Sequence, residues 1–216
     1  VALGRARAAH LEGKGHVVEH AAMGEQGVAL EHHRRAALDL RQPDGLRYDE
    51  LFVLPPYKVE QVFTTYAETV DWGLTLFGIP QLWRLSKGSG VKVAVLDTGC
   101  ALNHPDLKDA ILKAKDFTRS PSGPTDVQGH GTHCCGVIAA RENSTGVIGV
   151  APEAGLLVGK VLGDNGSGSL TSVVAGIDWA LKEGAHVISM SLGSPQGSPS
   201  LEAACRRAAD AGVFII

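Results

Sequence analysis

The stretch Val91-Lys92-Val93-Ala94-Val95-Leu96-Asp97-Thr98-Gly99-Cys100 decides the fold. Residues 91–96 are almost wholly apolar with three β-branched valines, and Lys92 is their one charge. A strand exposed on one face alternates polar and apolar residues. A strand buried on both faces does not, so this run predicts a central strand of a parallel sheet. Asp97 closes the strand, and Gly99 permits a sharp turn after it. A carboxylate at the C-terminal end of a buried parallel strand stands where α/β sheets place ligands and catalysts. Capping of the next turn is the other role open to Asp97 taken alone.

Similar apolar runs recur downstream at Gly155–Leu162, Val187–Met190 and Val213–Ile216. Helical patterns lie between them. Leu170, Val173, Val174, Ile177 and Leu181 follow helical spacing, with Ser169 placed as N-cap and Gly184 past the end. Ser198-Pro199 opens a second helix with Leu201, Cys205 and Ala208 on one face and Gly212 after it. The alternation predicts an α/β fold: a parallel sheet with helices on both faces. No internal repeat is found.

Composition agrees with a packed core. The chain has 216 residues, 44% hydrophobic and 20% charged, which excludes a fully disordered, collagenous or coiled-coil chain. Its net charge is 20 − 23 = −3 with signs interspersed, so no basic field points to nucleic acid. No apolar run approaches the length of a membrane span. Glu12, Lys14, His16 and Glu19 interrupt any signal-peptide core near the start, which favours a cytoplasmic address. The cysteines Cys100, Cys134, Cys135 and Cys205 form no CxxC pair and read as free thiols.

Three zones separate along the chain. Residues 1–46 form an N-terminal extension that holds His10, His16, His20, His32 and His33, whose spacing matches no metal-ligand pattern. Val28, Leu30, Ala36, Leu38 and Leu40 suggest a short helix there, although the zone can also be an extension without a selected fold. Residues 47–68 pass through Phe52-Val53-Leu54 into Pro55-Pro56, an extended segment that cannot continue as helix or central strand; residues 58–67 fit a short helix or turn. The α/β texture occupies residues 69–216.

The second informative block is Gly129-His130-Gly131-Thr132-His133-Cys134-Cys135. Flanking glycines let backbone and substrate approach His130 closely. A zinc pair on a helix would need a four-residue spacing and a Glu base, and neither is present. Gly163-Asp164-Asn165-Gly166-Ser167-Gly168 is Gly-rich, but no Gly-Lys-Ser/Thr follows to make it a phosphate cradle.

Taken together, these blocks resemble the subtilisin-like serine peptidases, or subtilases. The resemblance rests on Asp97-Thr98-Gly99, His104-Pro105-Asp106-Leu107 and Gly129-His130-Gly131-Thr132-His133. It continues through Gly146-Val147-Ile148-Gly149-Val150-Ala151-Pro152 and Met190-Ser191-Leu192-Gly193. It implies a three-layer subtilisin-like fold and a serine endopeptidase acting on polypeptide substrate. Asp97 would be the triad acid and His130 the general base, in the family's order Asp, His, Ser, a constellation that recurs on unrelated folds. His133 would serve helix packing, and Asp126 would sit at the substrate rim.

The resemblance also implies binding residues. Gly166, Ser167 and Gly168 would pair with an extended substrate, and Ser191, Leu192 and Gly193 would form the opposite edge. A structural Ca2+ would take the carboxylate of Asp106, the amide oxygen of Asn143 and the carbonyls of Arg141, Thr145 and Val147, with Glu68 close by. Leu54-Pro55-Pro56-Tyr57 is similar to the inhibitory N-terminal element of intracellular subtilisins, with Pro55 where Ile is usual; the chain's own N-terminal segment would be its inhibitor. Cys100 is similar to intracellular members and Cys134 to the proteinase K branch, whereas Cys135 reads as a small core residue.

No block like Gly-Thr-Ser-Met-Ala occurs. The nucleophilic serine and the oxyanion asparagine are therefore expected beyond Ile216. The domain is expected to be truncated on its C-terminal side and inactive by itself. The alternatives are a non-catalytic subtilase-like binding or regulatory module, and a nucleotide-binding α/β protein that would leave His130 without a role.

Overall fold

The computed structural model describes residues 68–194 and 197–216, together with the backbone of three short upstream strands. The strands β1 (Val17–Ala21) and β2 (Gly24–Val28) form an antiparallel hairpin in which Val17 faces Val28 and Ala21 faces Gly24. Val28 thus lies in a strand and not in the helix its neighbours suggested. Its β-branch favours extended backbone, and Gly24 and Gly27 weaken a helix. The other residues of that expected helix, and the turn expected over 58–67, lie outside the described residues. The strand β3 (Phe52–Val53) is extended, in line with the extended segment expected there.

Two short helices, α1 (Trp72–Leu76) and α2 (Ile79–Leu82), lead into β4 (Lys92–Asp97). Next come β5 (Ile111–Asp116), α3 (His130–Ala139) and β6 (Gly155–Lys160). The chain continues with β7 (Ser167–Gly168), α4 (Leu170–Lys182), β8 (Val187–Ser189), α5 (Pro199–Asp210) and β9 (Phe214–Ile215). The main sheet has the order β5-β6-β4-β8-β9, and every pairing in it is parallel.

Side-chain alternation along β4 assigns the two faces. Ala94 and Leu96 point into a core shared with Ile177, Trp179 and Ala180 of α4 and with Ala204 and Ala208 of α5. Val93 and Val95 point the opposite way, against Cys135 and Ala139 of α3. Helices therefore cover both faces, and the uninterrupted apolar character of β4 has its cause. Trimming a fully buried side chain such as Leu96 to Ala costs about 2–5 kcal/mol.

The helix ends follow their local signals. Ser169 Oγ accepts the Ser172 N–H at 3.0 Å, and Gly184 turns the chain beyond α4 at φ 73°. Ser198 caps α5 ahead of Pro199, accepting the Leu201 N–H at 3.4 Å, with Gly212 beyond the end at φ 77°. The edge strand β5 was not legible beforehand. Its Leu112, Lys113 and Lys115 are outward or partly solvated, so it lacks the apolar signature of the inner strands. Among the described residues no helix is long and apolar enough to cross a membrane.

Candidate active site

Asp97 ends β4 and His130 opens α3, so both stand at the C-terminal edge of the sheet. His130 Nδ1 lies 2.8 Å from Asp97 Oδ1 and 2.9 Å from Oδ2. The Thr98 N–H also donates to Asp97 Oδ1, at 2.7 Å, which fixes the carboxylate plane. Asp97 is 1% exposed, whereas the His130 side chain keeps 25% of its surface open. Burial works against charging the imidazole. The hydrogen bond to Asp97, assisted by the Cys134 thiol, outweighs burial and raises the His130 pKa above the ordinary histidine value.

The approach of the two elements depends on missing side chains. Gly99, at φ 103°, has no room for a Cβ, which would fall 2.3 Å from the Pro124 carbonyl oxygen. Gly131 packs its Cα face against the Gly99 carbonyl. With neither side chain present, the first turn of α3 can rest on the turn after β4.

Asp126 binds these pieces together, a role its sequence position did not reveal. Its Oδ1 accepts the Thr98 hydroxyl and the backbone N–H groups of Gln128 and Gly129, each at 2.9 Å. Its Oδ2 accepts the Thr132 N–H at 2.9 Å and the Thr132 hydroxyl at 2.6 Å. Thr98 Oγ1 in turn accepts the Gly131 N–H at 2.9 Å, and Thr132 Oγ1 accepts the Ala101 N–H at 2.9 Å. The Asp126 carboxylate is thus turned into the start of α3, where the helix dipole favours a negative charge. Only the later register of Thr98 and Thr132 around it identifies that role; the sequence holds no separate signal.

The cysteines divide between packing and site. Cys100 and Cys135 are fully buried beneath β4, and the neighbouring Cys100 thiol together with burial holds the Cys135 thiol above its ordinary pKa. Cys134 Sγ stands 3.9 Å from His130 Nδ1. Among the described residues, Asp97, His130 and Cys134 bring ligating atoms within 4.8 Å of one another. Nδ1 is already engaged with both carboxylate oxygens, so the arrangement is a hydrogen-bonded carboxylate–imidazole pair. All four cysteines are free.

Two segments flank this pair. Gly166, Ser167 and Gly168 belong to the loop and strand after β6, closed by Gly163 N–H to Ser167 O at 2.7 Å. The strand β7 carries an antiparallel partner, β3, with Phe52 opposite Gly168 and Val53 opposite Ser167. Ser191, Leu192 and Gly193 follow β8, the neighbour of β4 on its other side. Leu192 and Gly193 line an apolar groove of about 420 Å³ with Met190, Leu201, Cys205 and Ile215.

A third cluster forms on another part of the surface. Asp106 is 3% exposed; its Oδ1 accepts the Asn143 side-chain N–H at 3.0 Å and its Oδ2 the Val147 N–H at 3.3 Å. Glu68 Oε1 accepts the N–H groups of Asn143 and Ser144 at 2.7 and 3.1 Å. Asn143 Oδ1 braces Thr145 through its N–H and hydroxyl, at 3.0 and 2.9 Å. The Arg141 N–H bonds to the Asp106 carbonyl at 2.9 Å. Asp106, Arg141, Asn143, Thr145 and Val147 therefore share one loop region with Glu68. The Asp106 and Glu68 carboxylates and the Asn143 amide oxygen are each engaged by N–H or O–H groups of this chain.

Comparison with known proteins gives a consistent result. The Subtilase family profile matches residues 88–216. The chain is 44% identical over 148 residues to an "Intracellular serine protease" of Paenibacillus polymyxa, covering 67% of this chain and 45% of that protein. It is 49% identical over 153 residues to a "Thermostable alkaline protease" of Halalkalibacterium halodurans, covering 70% and 42%. It is 41% identical over 173 residues to the "Major intracellular serine protease" of Bacillus subtilis, covering 77% and 54%. The chain spans about half the length of these relatives. On the family match over its α/β region, and on a parallel sheet that carries an Asp–His pair at its C-terminal edge, the chain belongs to the subtilase family.

Proposed function

We propose that this chain carries the acid and base of a serine endopeptidase, with the nucleophilic serine and oxyanion asparagine contributed from outside residues 1–216. The observation that carries this reading is the hydrogen bond between the buried Asp97 carboxylate and His130 Nδ1. That bond holds the proton on Nδ1 and directs Nε2 to the serine hydroxyl. The serine oxygen attacks the peptide carbonyl carbon while Nε2 takes its proton. The resulting imidazolium, stabilised by ionised Asp97, gives that proton to the departing amine as the C–N bond breaks. Water then cleaves the acyl ester by the same proton route.

The polypeptide substrate is read as a strand added between Gly166–Gly168 and Ser191–Gly193. The pairing of β3 with β7 supports this, because it occupies that edge with the chain's own Phe52 and Val53. The same pairing supports the N-terminal segment as inhibitor. Leu54-Pro55-Pro56-Tyr57 follows directly, and two prolines cannot donate ladder hydrogen bonds. On this reading residues 47–68 are an inhibitory segment and residues 69–216 the N-terminal part of the catalytic domain. Asp106, Asn143 and the carbonyls of Arg141, Thr145 and Val147, with Glu68, would hold a structural Ca2+. That ion would neutralise the Asp106 and Glu68 carboxylates and stiffen the loop. Two of the relatives above are named intracellular, which supports a cytoplasmic address for this protein.

The test uses the protein encoded by the complete gene and a fluorophosphonate probe that acylates activated serines. The wild type is expected to label, and His130→Ala to label at least about 1000-fold more slowly. Absence of wild-type labelling would favour a non-catalytic binding module, and undiminished labelling of His130→Ala would reject His130 as the base.

A further inference from the structure

Lys160 ends β6 in register with Asp97 on β4, and its side chain is completely buried. A buried ammonium persists only where its charge and its N–H groups find partners. Lys160 Nζ donates to the Thr98 carbonyl at 2.8 Å and to the Thr125 carbonyl at 2.9 Å, and it lies 2.8 Å from Asp164 Oδ1. Three N–H groups thus meet three acceptors.

Those acceptors sit in three functionally distinct places. Thr98 directly follows Asp97. Thr125 directly precedes Asp126, the anchor of the turn that delivers His130. Asp164 lies in the loop that leads to β7, and it also accepts the Ser122 hydroxyl at 2.5 Å. The proton transfers described above do not use Lys160. A purely structural need would be met by an apolar side chain of similar size, since such replacements of buried charges are often neutral or stabilising.

We propose that Lys160 is a positioning residue whose ammonium clamps the Asp97 turn, the Asp126 anchor and the β7 substrate loop into one register. Orientation of the His130–Asp97 pair is thereby coupled to the edge on which substrate pairs. The kinetic consequence rests on the endopeptidase reading; the geometric coupling does not.

The test compares wild type, Lys160→Met and Asp164→Asn in the complete protein. It reads the downfield proton resonance of His130 Nδ1–H by NMR, and kcat and KM for a peptide amide separately. Lys160→Met is expected to shift or broaden that resonance and to lower kcat about tenfold or more with KM changed less than about threefold. Asp164→Asn is expected to shift the same resonance and to raise KM, although Asp164 does not touch His130. A His130 resonance at its wild-type position and width in either variant overturns the proposal. Should Lys160→Met fail to fold, the partly exposed Asp164 side chain makes Asp164→Asn the deciding variant. A wild type that neither labels nor hydrolyses peptides would refute the endopeptidase reading, while the resonance would still decide the role of Lys160.

Discussion

A Cβ placed on Gly131 would stand 2.3 Å from the carbonyl oxygen of Gly99 and 3.1 Å from Asp97 Oδ1. The start of α3 and the turn after β4 therefore meet backbone to backbone, and the Asp97–His130 distance follows from that contact. Gly131→Ala is expected to push α3 outward, cost about 1–3 kcal/mol of stability and slow probe labelling of the complete protein about 100-fold. Denaturant unfolding and labelling rates measured side by side would show both effects; labelling at the wild-type rate would contradict the packing argument.

The raised pKa of His130 has a definite sign in stability. A group whose folded pKa exceeds its unfolded value, about 6.5 for histidine, contributes stability that is fully present below that value. The contribution disappears as pH rises through the folded-state pKa. The unfolding free-energy difference between wild type and His130→Phe should accordingly be largest near pH 6 and shrink toward alkaline pH. Asp97→Asn should move the His130 titration downward by roughly one pH unit or more, as followed by imidazole NMR. A titration unaffected by Asp97→Asn would mean that the carboxylate does not stabilise the imidazolium.

Asp126 receives hydrogen bonds from Thr98, Gln128, Gly129 and Thr132. Asp126→Ala removes a charged helix anchor and leaves several N–H donors to find water, at an expected cost of about 2–3 kcal/mol. Asp126→Asn, which keeps only one acceptor oxygen, should fall between. Urea denaturation gives the ordering, and a stability unchanged in Asp126→Ala would show that these bonds are replaced by solvent without loss.

If the cluster of Asp106, Asn143 and Glu68 holds Ca2+, the ion stabilises the native state by mass action. About 2.7 kcal/mol is expected at a free concentration 100 times the dissociation constant. Calcium should then raise the melting temperature of wild type more than magnesium does, because carboxylate, amide and carbonyl ligands in irregular geometry suit the larger ion. Asp106→Ala should abolish the increment. A melting temperature indifferent to chelator and to calcium would exclude the site.

The inhibitory reading of the N-terminal segment concentrates on two residues. Phe52 and Val53 pair with Gly168 and Ser167. Val53→Pro deletes a backbone donor and constrains φ without touching Asp97 or His130. Initial peptidase activity of the complete protein should rise, by tenfold in order of magnitude if the pairing is the main obstruction. Equal initial rates for variant and wild type would remove this segment as the inhibitor.

The chain itself determined the inner strands, α4 and α5, and the identity of the residues at the mouth of the sheet. Burial on both faces forces unbroken apolar runs, and helix ends need Ser, Pro and Gly at set positions, so these features are written locally. Asp97 and His130 were readable because each sits in a short block of glycines and threonines. Tertiary structure alone decided that β5 closes one edge, that Asp126 turns into α3, and that Lys160 reaches beneath the Asp97 turn. It also decided that Phe52 and Val53 lie along Ser167 and Gly168. Apart from the local bonds of Asp126 to Gln128, Gly129 and Thr132, these are contacts between segments distant in sequence, whose local pattern fits many environments. The lone Lys160 at the end of an otherwise apolar strand was the one visible sign, because a charge placed there must find partners that only the assembled fold supplies.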